Sequence, residues 1–170
     1  MKEILKQETA AILDGLEVSE VILNDVRKVI DAHVQGGGKR PGLAVVLVGS
    51  DHASQIYVRA KRKDCEKAGI RTSDFDLPYE TTQAELLALI DQLNQDDEIH
   101  GILVQLPLPP QIDEISITNS LKSGKDVDGF HAFNVGRLAL RQRGLRPCTP
   151  RGIMALLHYY GIDAKGYHCV

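Results

Sequence analysis

The sequence predicts an α/β domain in three layers, with a mainly parallel β-sheet flanked by helices. Residues 43–48 and 102–104 are continuously apolar, as expected for strands that helices cover on both faces. Segments with apolar residues at helical spacing alternate with these two runs along the chain. Because strands that alternate with helices form parallel sheets, the order α-β-α-β-α-β-α favours this fold class.

Four helices are predicted, over residues 18–34, 55–68 and 85–93 and from residue 149 onward. Ser54 is expected to be the N-cap of the second helix, which Gly69 ends. Pro150 is expected at the first helical position of the last helix, and Gly161 closes it. A weaker candidate for a third strand lies at residues 72–77.

The length of the chain, 170 residues, predicts one domain, or one domain and a part of another. Residues 1–161 are assigned to the first domain. Residues 162–166 are interpreted as a connector, and residues 167–170 resemble the opening of a further strand. The chain is therefore expected to be a piece of a longer one.

Composition argues against several classes of protein. Lys and Arg number 20 and Asp and Glu 23, a net charge of −3, whereas nucleic-acid binding needs a basic surface. The 3 cysteines form no C-x-x-C pair, which favours a reducing compartment. The start of the chain lacks the pattern of a signal peptide, and no apolar run is long enough to span a membrane. A cytoplasmic protein is expected.

Several common motifs are absent from the sequence. The 6 histidines lack metal-ligand spacing, so no metal is expected. No G-x-G-x-x-G follows a predicted strand, and no G-x-S-x-G nucleophile elbow is found. The residues alone therefore predict no particular reaction.

In parallel sheets, ligands bind beyond the carboxyl ends of the strands, here near residues 48–54 and 104–107. Tyr57 and Lys61 stand one helical turn apart after the first of these ends, so their side chains share a face. The ring could stack on a flat ligand, and the amine could transfer a proton. Spacing alone favours another interpretation, a solvated lysine whose stem covers the tyrosine.

Two further positions stay open on spacing alone. Gln105 interrupts the end of an apolar strand, where a buried, unpaired amide costs about 1–3 kcal/mol, so it must pair with local backbone or with a ligand. Asp126 and Asp128 lie in the segment Lys-Asp-Val-Asp-Gly at 125–129. Asp-Gly predicts an ordinary turn, but a carboxylate there could also accept two hydrogen bonds from a planar ring that carries an amine.

Five blocks stand in one order along the chain. They are Val-Gly at 48–49, Ala-Ser-Gln-Ile-Tyr-Val at 53–58 with Lys61, Gly-Ile-Leu-Val-Gln-Leu-Pro-Leu-Pro at 101–109, Lys-Asp-Val-Asp-Gly-Phe at 125–130 and Pro-Cys-Thr-Pro-Arg-Gly at 147–152. Together they resemble the bifunctional methylenetetrahydrofolate dehydrogenase/methenyltetrahydrofolate cyclohydrolase family. The match runs in register from about residue 12 to the end of the chain.

The resemblance implies a folate site in this region of the chain. It makes Lys61 the catalytic amine and makes Gln105 the side chain that hydrogen-bonds Lys61 and tunes its protonation. Tyr57 would stack against the folate, and Asp128 would bind the amino edge of the pterin. Ser54 would line the same site.

The resemblance also implies a cofactor, NADP, whose site lies mostly in a Rossmann domain that follows. Thr149 and Cys148 would lie beside the cleft between the two domains, near the nicotinamide. In one-carbon folate metabolism, the complete protein would oxidise methylene-tetrahydrofolate to the methenyl compound and hydrolyse that compound to formyl-tetrahydrofolate, as a homodimer. The present chain is expected to lack the dehydrogenase activity. The competing hypothesis is a folate-binding module without catalysis.

Overall fold

The computed structural model describes residues 12–166 and 168 of the chain. The elements in this part are α1 (Gly15–Gln35), β1 (Gly42–Val48), α2 (His52–Ala68), β2 (Arg71–Leu77), α3 (Gln83–Gln95), β3 (Gly101–Val104), α4 (Glu114–Ser120), α5 (Ala132–Ala139) and α6 (Cys148–Tyr159). The strands predicted at residues 43–48, 72–77 and 102–104 and the four predicted helices are present. None of the helices in the described ranges has the length and apolarity needed to cross a membrane.

The three strands form a parallel sheet in the order β2-β1-β3, with β1 in the centre. Neighbouring side chains of a strand point to opposite faces. Ala44, Val46 and Val48 of β1 therefore pack in the cluster that includes α3 and α4, whereas Val45 and Leu47 pack toward α2. Both faces of β1 are buried, which confirms the predicted layers and explains the uninterrupted apolar run.

Two short helices, α4 and α5, were not predicted. α4 spans only 7 residues and α5 only 8, less than the window in which helical periodicity can be recognised. α4 depends on its N-cap, because the Asp113 carboxylate accepts hydrogen bonds from the backbone N–H groups of Ile115 and Ser116. Local capping, rather than a long apolar stripe, therefore defines the start of α4.

The prediction that Ser54 caps α2 is wrong. The helix begins at His52, and Asp51 is its N-cap. The carboxylate Oδ1 of Asp51 accepts a hydrogen bond from the Ser54 backbone N–H at 2.8 Å. Aspartate and serine cap helices equally well, so a sequence with both residue types this close together leaves the choice open.

The predicted start of the last helix also needs a correction. α6 begins at Cys148, with Pro147 as its N-cap, so Pro150 is the third residue of the helix and not the first. The N–H groups of the first turn have no acceptor inside the helix, so a proline at the third position removes no helical hydrogen bond. Gly161 follows the C-cap residue Tyr160 with a φ of 70°, as predicted for a helix stop.

The proposed domain boundary stays a prediction. Of the strand predicted at residues 167–170, all but residue 168 lies outside the described residues. At the C-terminal end of α6, the Tyr160 hydroxyl accepts a hydrogen bond from the Asp14 backbone N–H at 3.0 Å, which joins this end of the helix to the start of α1.

Candidate active site

The predicted site residues lie at the carboxyl edge of the sheet. α2 follows β1, and Gln105 directly follows β3. The segment around Asp126 runs beside β3 and forms a parallel bridge with Ile102. Because parallel strands end at the same edge, this topology brings side chains from three separate segments together.

Lys61 and Gln105 are in direct contact. The Lys61 Nζ donates a hydrogen bond to Gln105 Oε1 at 3.1 Å. The Gln105 Nε2 donates in turn to the carbonyl oxygen of Leu106 at 2.6 Å. Gln105 thus has both a backbone partner and a side-chain partner, and the backbone contact turns its carbonyl oxygen toward the lysine.

Asp128 lies near this pair, because the Lys61 charge acts on its carboxyl group. It is partly buried, and burial raises the pKa of its carboxyl group above the usual value. The Lys61 ammonium opposes this increase in the pKa, and the neighbouring Asp126 carboxylate adds to it. In the part of the chain that the structure describes, no hydrogen bond satisfies the Asp128 carboxylate. Asp128 is therefore a desolvated acceptor beside a cation.

We expect the substitution Asp128→Asn to stabilise the fold in a pH-dependent way. Asparagine resembles the protonated acid in shape and charge. Because the pKa of Asp128 is raised in the folded state, the folded chain keeps a proton that the unfolded chain releases, and stability falls as pH rises through this interval. At a pH below the ordinary aspartate pKa of about 3.9, the wild-type chain and the variant should melt at similar temperatures. At a pH above the raised pKa of Asp128 in the folded state, the variant should melt at a higher temperature than the wild type.

Thermal melts over a pH series measure this difference. The matched control is Asp113→Asn, because hydrogen bonds from Ser116 lower the pKa of the Asp113 carboxyl group. For Asp113 the sign is reversed: the wild-type chain gains stability as pH rises, so this variant should melt lower near neutrality. A lower melting temperature for Asp128→Asn at neutral pH would contradict the burial argument.

Tyr57 and Ser54 differ strongly in their exposure on α2. The Tyr57 side chain is 62% exposed and lies one turn before Lys61, so its ring is open to a ligand. Ser54 is only 3% exposed in the first turn of the helix. The structure therefore brings Tyr57, Lys61, Gln105 and Asp128 to one edge, whereas Ser54 lies beneath that surface.

Sequence reasoning did not separate Asp126 from Asp128. Asp126 is 1% exposed, and its carboxylate accepts hydrogen bonds from the backbone N–H groups of Gly129 and His131. It also accepts one from Asn134, a buried residue of α5 that the sequence analysis missed. The one local signal was the Asp-x-x-Gly spacing, which suits a side-chain-capped turn.

Gly129 occupies a position that only glycine suits. Its φ is 69°, in the left-handed region. A Cβ atom added there would lie 2.8 Å from the carbonyl carbon of Arg146. The turn after Asp128 and the segment that leads into α6 therefore run close together, with no room for a side chain at residue 129.

A comparison with known proteins identifies the family of this chain. A family model described as the catalytic domain of tetrahydrofolate dehydrogenase/cyclohydrolase matches residues 13–128. The chain belongs to this family. All four exposed or partly exposed site residues named above, Tyr57, Lys61, Gln105 and Asp128, lie within the matched range.

Relatives of the tetrahydrofolate dehydrogenase/cyclohydrolase family match almost the whole chain. The bifunctional protein FolD of Legionella pneumophila (strain Corby) is 53% identical over 161 residues, which are 95% of this chain and 57% of the relative. The crystal structure of the bifunctional enzyme FolD from Campylobacter jejuni matches with a TM-score of 0.88 and 48% identity, over 92% of this chain and 55% of that one.

A third match is the Trypanosoma brucei methylenetetrahydrofolate dehydrogenase-cyclohydrolase, solved with NADP cofactor and an inhibitor. Its TM-score is 0.88 and its identity 35%, over 94% of this chain and 55% of that one. The chain therefore spans a little over half the length of these relatives.

Cys148 and Thr149 are the positions that the family resemblance assigns to the cofactor. Both are exposed in the first turn of α6. The Cys148 Sγ donates to the Val127 carbonyl oxygen at 3.5 Å. Although the residue as a whole is exposed, its thiol is partly desolvated, which together with the nearby Asp128 carboxylate raises the pKa of the thiol. This turn therefore lies directly beside Asp128, where a flat ring could approach.

The same two residues line a groove of about 450 Å³ between α1 and α6, whose lining includes Ile22 and Leu156 and no basic side chain. An uncharged groove does not suit a diphosphate. The residues present fit the ring end of a nicotinamide cofactor and not its phosphates. Among residues 12–166 and 168, no group of three or more histidine, cysteine or acidic side chains could hold a metal.

Proposed function

We propose that the whole protein oxidises methylene-tetrahydrofolate with NADP and hydrolyses the methenyl product to formyl-tetrahydrofolate. The observation that carries this proposal is the contact between Lys61 and Gln105 beside the desolvated Asp128, in a chain of this family. The alternative, a folate-binding module without catalysis, would need an acceptor and a stacking ring but would not need a positioned amine.

Substrate binding is assigned to Tyr57 and Asp128. The exposed Tyr57 ring offers a flat apolar surface on which the folate can stack. The Asp128 carboxylate, which lacks a partner among the described residues, would accept hydrogen bonds from the amino edge of the pterin. The ligand would thereby satisfy an acceptor that is costly to leave unpaired.

Hydrolysis is assigned to Lys61, with Gln105 as its partner. The oxygen of water adds to the cationic methenyl carbon, and the Lys61 amine takes the proton that this addition releases. The bond from that carbon to one ring nitrogen then breaks, and the nitrogen receives a proton from the Lys61 ammonium. The hydroxyl group of the adduct loses its proton to water as its C=O bond forms, so the formyl product results and one proton is released overall. Gln105 holds the Lys61 Nζ in place, because its own amide is fixed on the Leu106 carbonyl oxygen.

NADP would supply the oxidant for the first step by accepting a hydride from the methylene carbon. We assign Cys148 and Thr149 to the border of the nicotinamide ring and the rest of the cofactor site mostly to residues outside 1–170. The family resemblance also supports a cytoplasmic homodimer. The net charge of −3 agrees with a protein that binds a small molecule and no nucleic acid.

We expect residues 1–170 alone to bind a reduced folate weakly and to show no NADP-dependent dehydrogenase activity. A cleft that lacks one wall admits water and holds the methenyl carbon loosely, and a displacement of about 1 Å can cost about a hundredfold in rate. Hydrolysis of the methenyl compound should therefore be severely reduced. Calorimetric titrations with NADP and with 5-formyl-tetrahydrofolate, beside a dehydrogenase assay, measure these properties.

Each outcome separates one part of the proposal from the rest. Micromolar NADP binding would show that the nucleotide site lies within residues 1–170. No detectable folate binding would contradict the assignment of Tyr57 and Asp128. Normal folate binding by a whole protein without hydrolase activity would favour the module without catalysis.

A further inference from the structure

We infer that Asp126 and Asn134 are positioning residues that aim the Asp128 carboxylate at the folate. The inference rests on the proposed folate function and adds to it a pair of buried residues that do not touch the substrate. Asp126 and Asn134 are 1% and 3% exposed, so neither side chain can reach a ligand at the surface. Their effect must pass through the segment that carries Asp128.

Asp126 accepts hydrogen bonds from the backbone of the residues that follow Asp128 in the chain. Its Oδ1 accepts a hydrogen bond from the Gly129 N–H at 3.1 Å, and its Oδ2 accepts one from the His131 N–H at 2.8 Å. The chain therefore folds around the Asp126 carboxylate, and Asp128 lies inside the resulting turn. Each hydrogen bond from a neutral donor to a charged acceptor is stronger than an ordinary one, which gives the turn a fixed shape.

Asn134 links this turn to α5. Its Nδ2 donates to the Ser123 carbonyl oxygen at 2.8 Å and to Asp126 Oδ2 at 2.9 Å. One amide group thus joins the chain before the turn, the carboxylate inside it and the helix after it. The fixed backbone of the turn then determines the direction of the Asp128 side chain.

Lys125, at the start of the turn, is held in place by contacts that do not involve Asn134. The Lys125 Nζ donates to the carbonyl oxygens of Leu93 and Asp96 at 2.9 and 2.7 Å, at the end of α3. The Lys125 carbonyl oxygen accepts a hydrogen bond from the Ile102 N–H at 2.7 Å. Residues 125 and 126 are therefore anchored to the sheet and to α3 even without Asn134, so removal of Asn134 should loosen the turn without unfolding the domain.

The test is a double-mutant cycle on the whole protein, with Asn134→Ala introduced into the wild-type chain and into Asp128→Asn. Titration with 5-formyl-tetrahydrofolate, followed by NMR, measures weak binding and also reports whether each variant is folded. We expect Asn134→Ala to weaken binding about tenfold in the wild-type chain and less than twofold in Asp128→Asn. A residue that acts through Asp128 has nothing to position once that carboxylate is gone.

The matched control is Asn94→Ala. Asn94 is also a buried asparagine, and it makes two backbone contacts in the same region, to Ser120 and Lys122. It has no hydrogen bond to Asp126, so its removal should lower the melting temperature and leave folate binding unchanged. Equal losses of binding for Asn94→Ala and Asn134→Ala would overturn the inference, because both would then act through general destabilisation.

The remaining outcomes are also decisive. An equal effect of Asn134→Ala in both backgrounds would overturn the inference while the folate function stands. If the wild-type chain binds no folate at all, the proposed function fails first, and the inference fails with it. If Asn134→Ala does not fold, Asn134→Ser takes its place in the same cycle, since its hydroxyl is too short to bridge Ser123 and Asp126.

Discussion

Replacement of Lys61 by methionine is expected to abolish hydrolysis of methenyl-tetrahydrofolate by the whole protein while the fold stays intact. Methionine keeps an unbranched stem of similar length but cannot take or give a proton. Lys61 is partly buried, and its hydrogen bond to Gln105 is the only one that the described residues give it, so the substitution breaks a single hydrogen bond. If Lys61 is the proton-transferring group, the variant lacks the amine that takes the proton from water.

The hydrolysis rate of purified wild type and variant checks this expectation. Lys63→Met is the matched control, because it makes the same change on the same helix at an exposed position. The control should keep its full activity. Retention by Lys61→Met of more than about a tenth of the wild-type rate, which corresponds to about 1.4 kcal/mol of barrier, would contradict the assigned role.

The second large effect is expected for Asp128→Asn, in folate affinity. The substitution keeps the shape of the side chain but replaces one acceptor by an amide donor, which would face the amino donor of the pterin. Loss of a desolvated charged acceptor typically costs about 2–4 kcal/mol of binding free energy. The dissociation constant should therefore increase by about 30- to 1,000-fold.

Calorimetry on the whole protein measures this change. Asp113→Asn provides the control, since Asp113 is an exposed cap of α4 and should not affect binding. Unchanged affinity in Asp128→Asn would mean that this aspartate serves the turn alone. Taken with the melts described above, the expected result is a variant that is more stable than the wild type and binds folate less well, as is common for residues that a ligand must satisfy.

Much of the fold could be predicted because its physical causes are local. The apolar run of β1 reflects burial on both faces, and α2 and α3 carry enough turns to show a period. α4 and α5 could not be predicted because they are too short to show a helical period of apolar residues. The start of α2 was misplaced because Asp51 and Ser54 are both suitable caps.

The site was predictable only in part, since its contacts join distant segments. The rule for parallel sheets places Lys61 and Gln105 at one edge, but their hydrogen bond spans 44 residues of sequence and depends on how α2 packs on the sheet. Asp126 and Asp128 have almost the same local sequence. Their environments differ because Asn134 of α5 donates a hydrogen bond to Asp126 and not to Asp128. No local sequence pattern predicts that contact.

The close approach at Gly129 has a consequence for how this protein can change over generations. Any other residue at 129 would strain the turn and push the backbone at Arg146, which leads directly to Cys148. A missense change in that codon would therefore disturb both the turn that carries Asp128 and the segment that leads to Cys148. Under the assignments proposed above, substitutions at Tyr57 could change the substrate and substitutions at Thr149 could change the cofactor, but the glycine at residue 129 must be kept in either case.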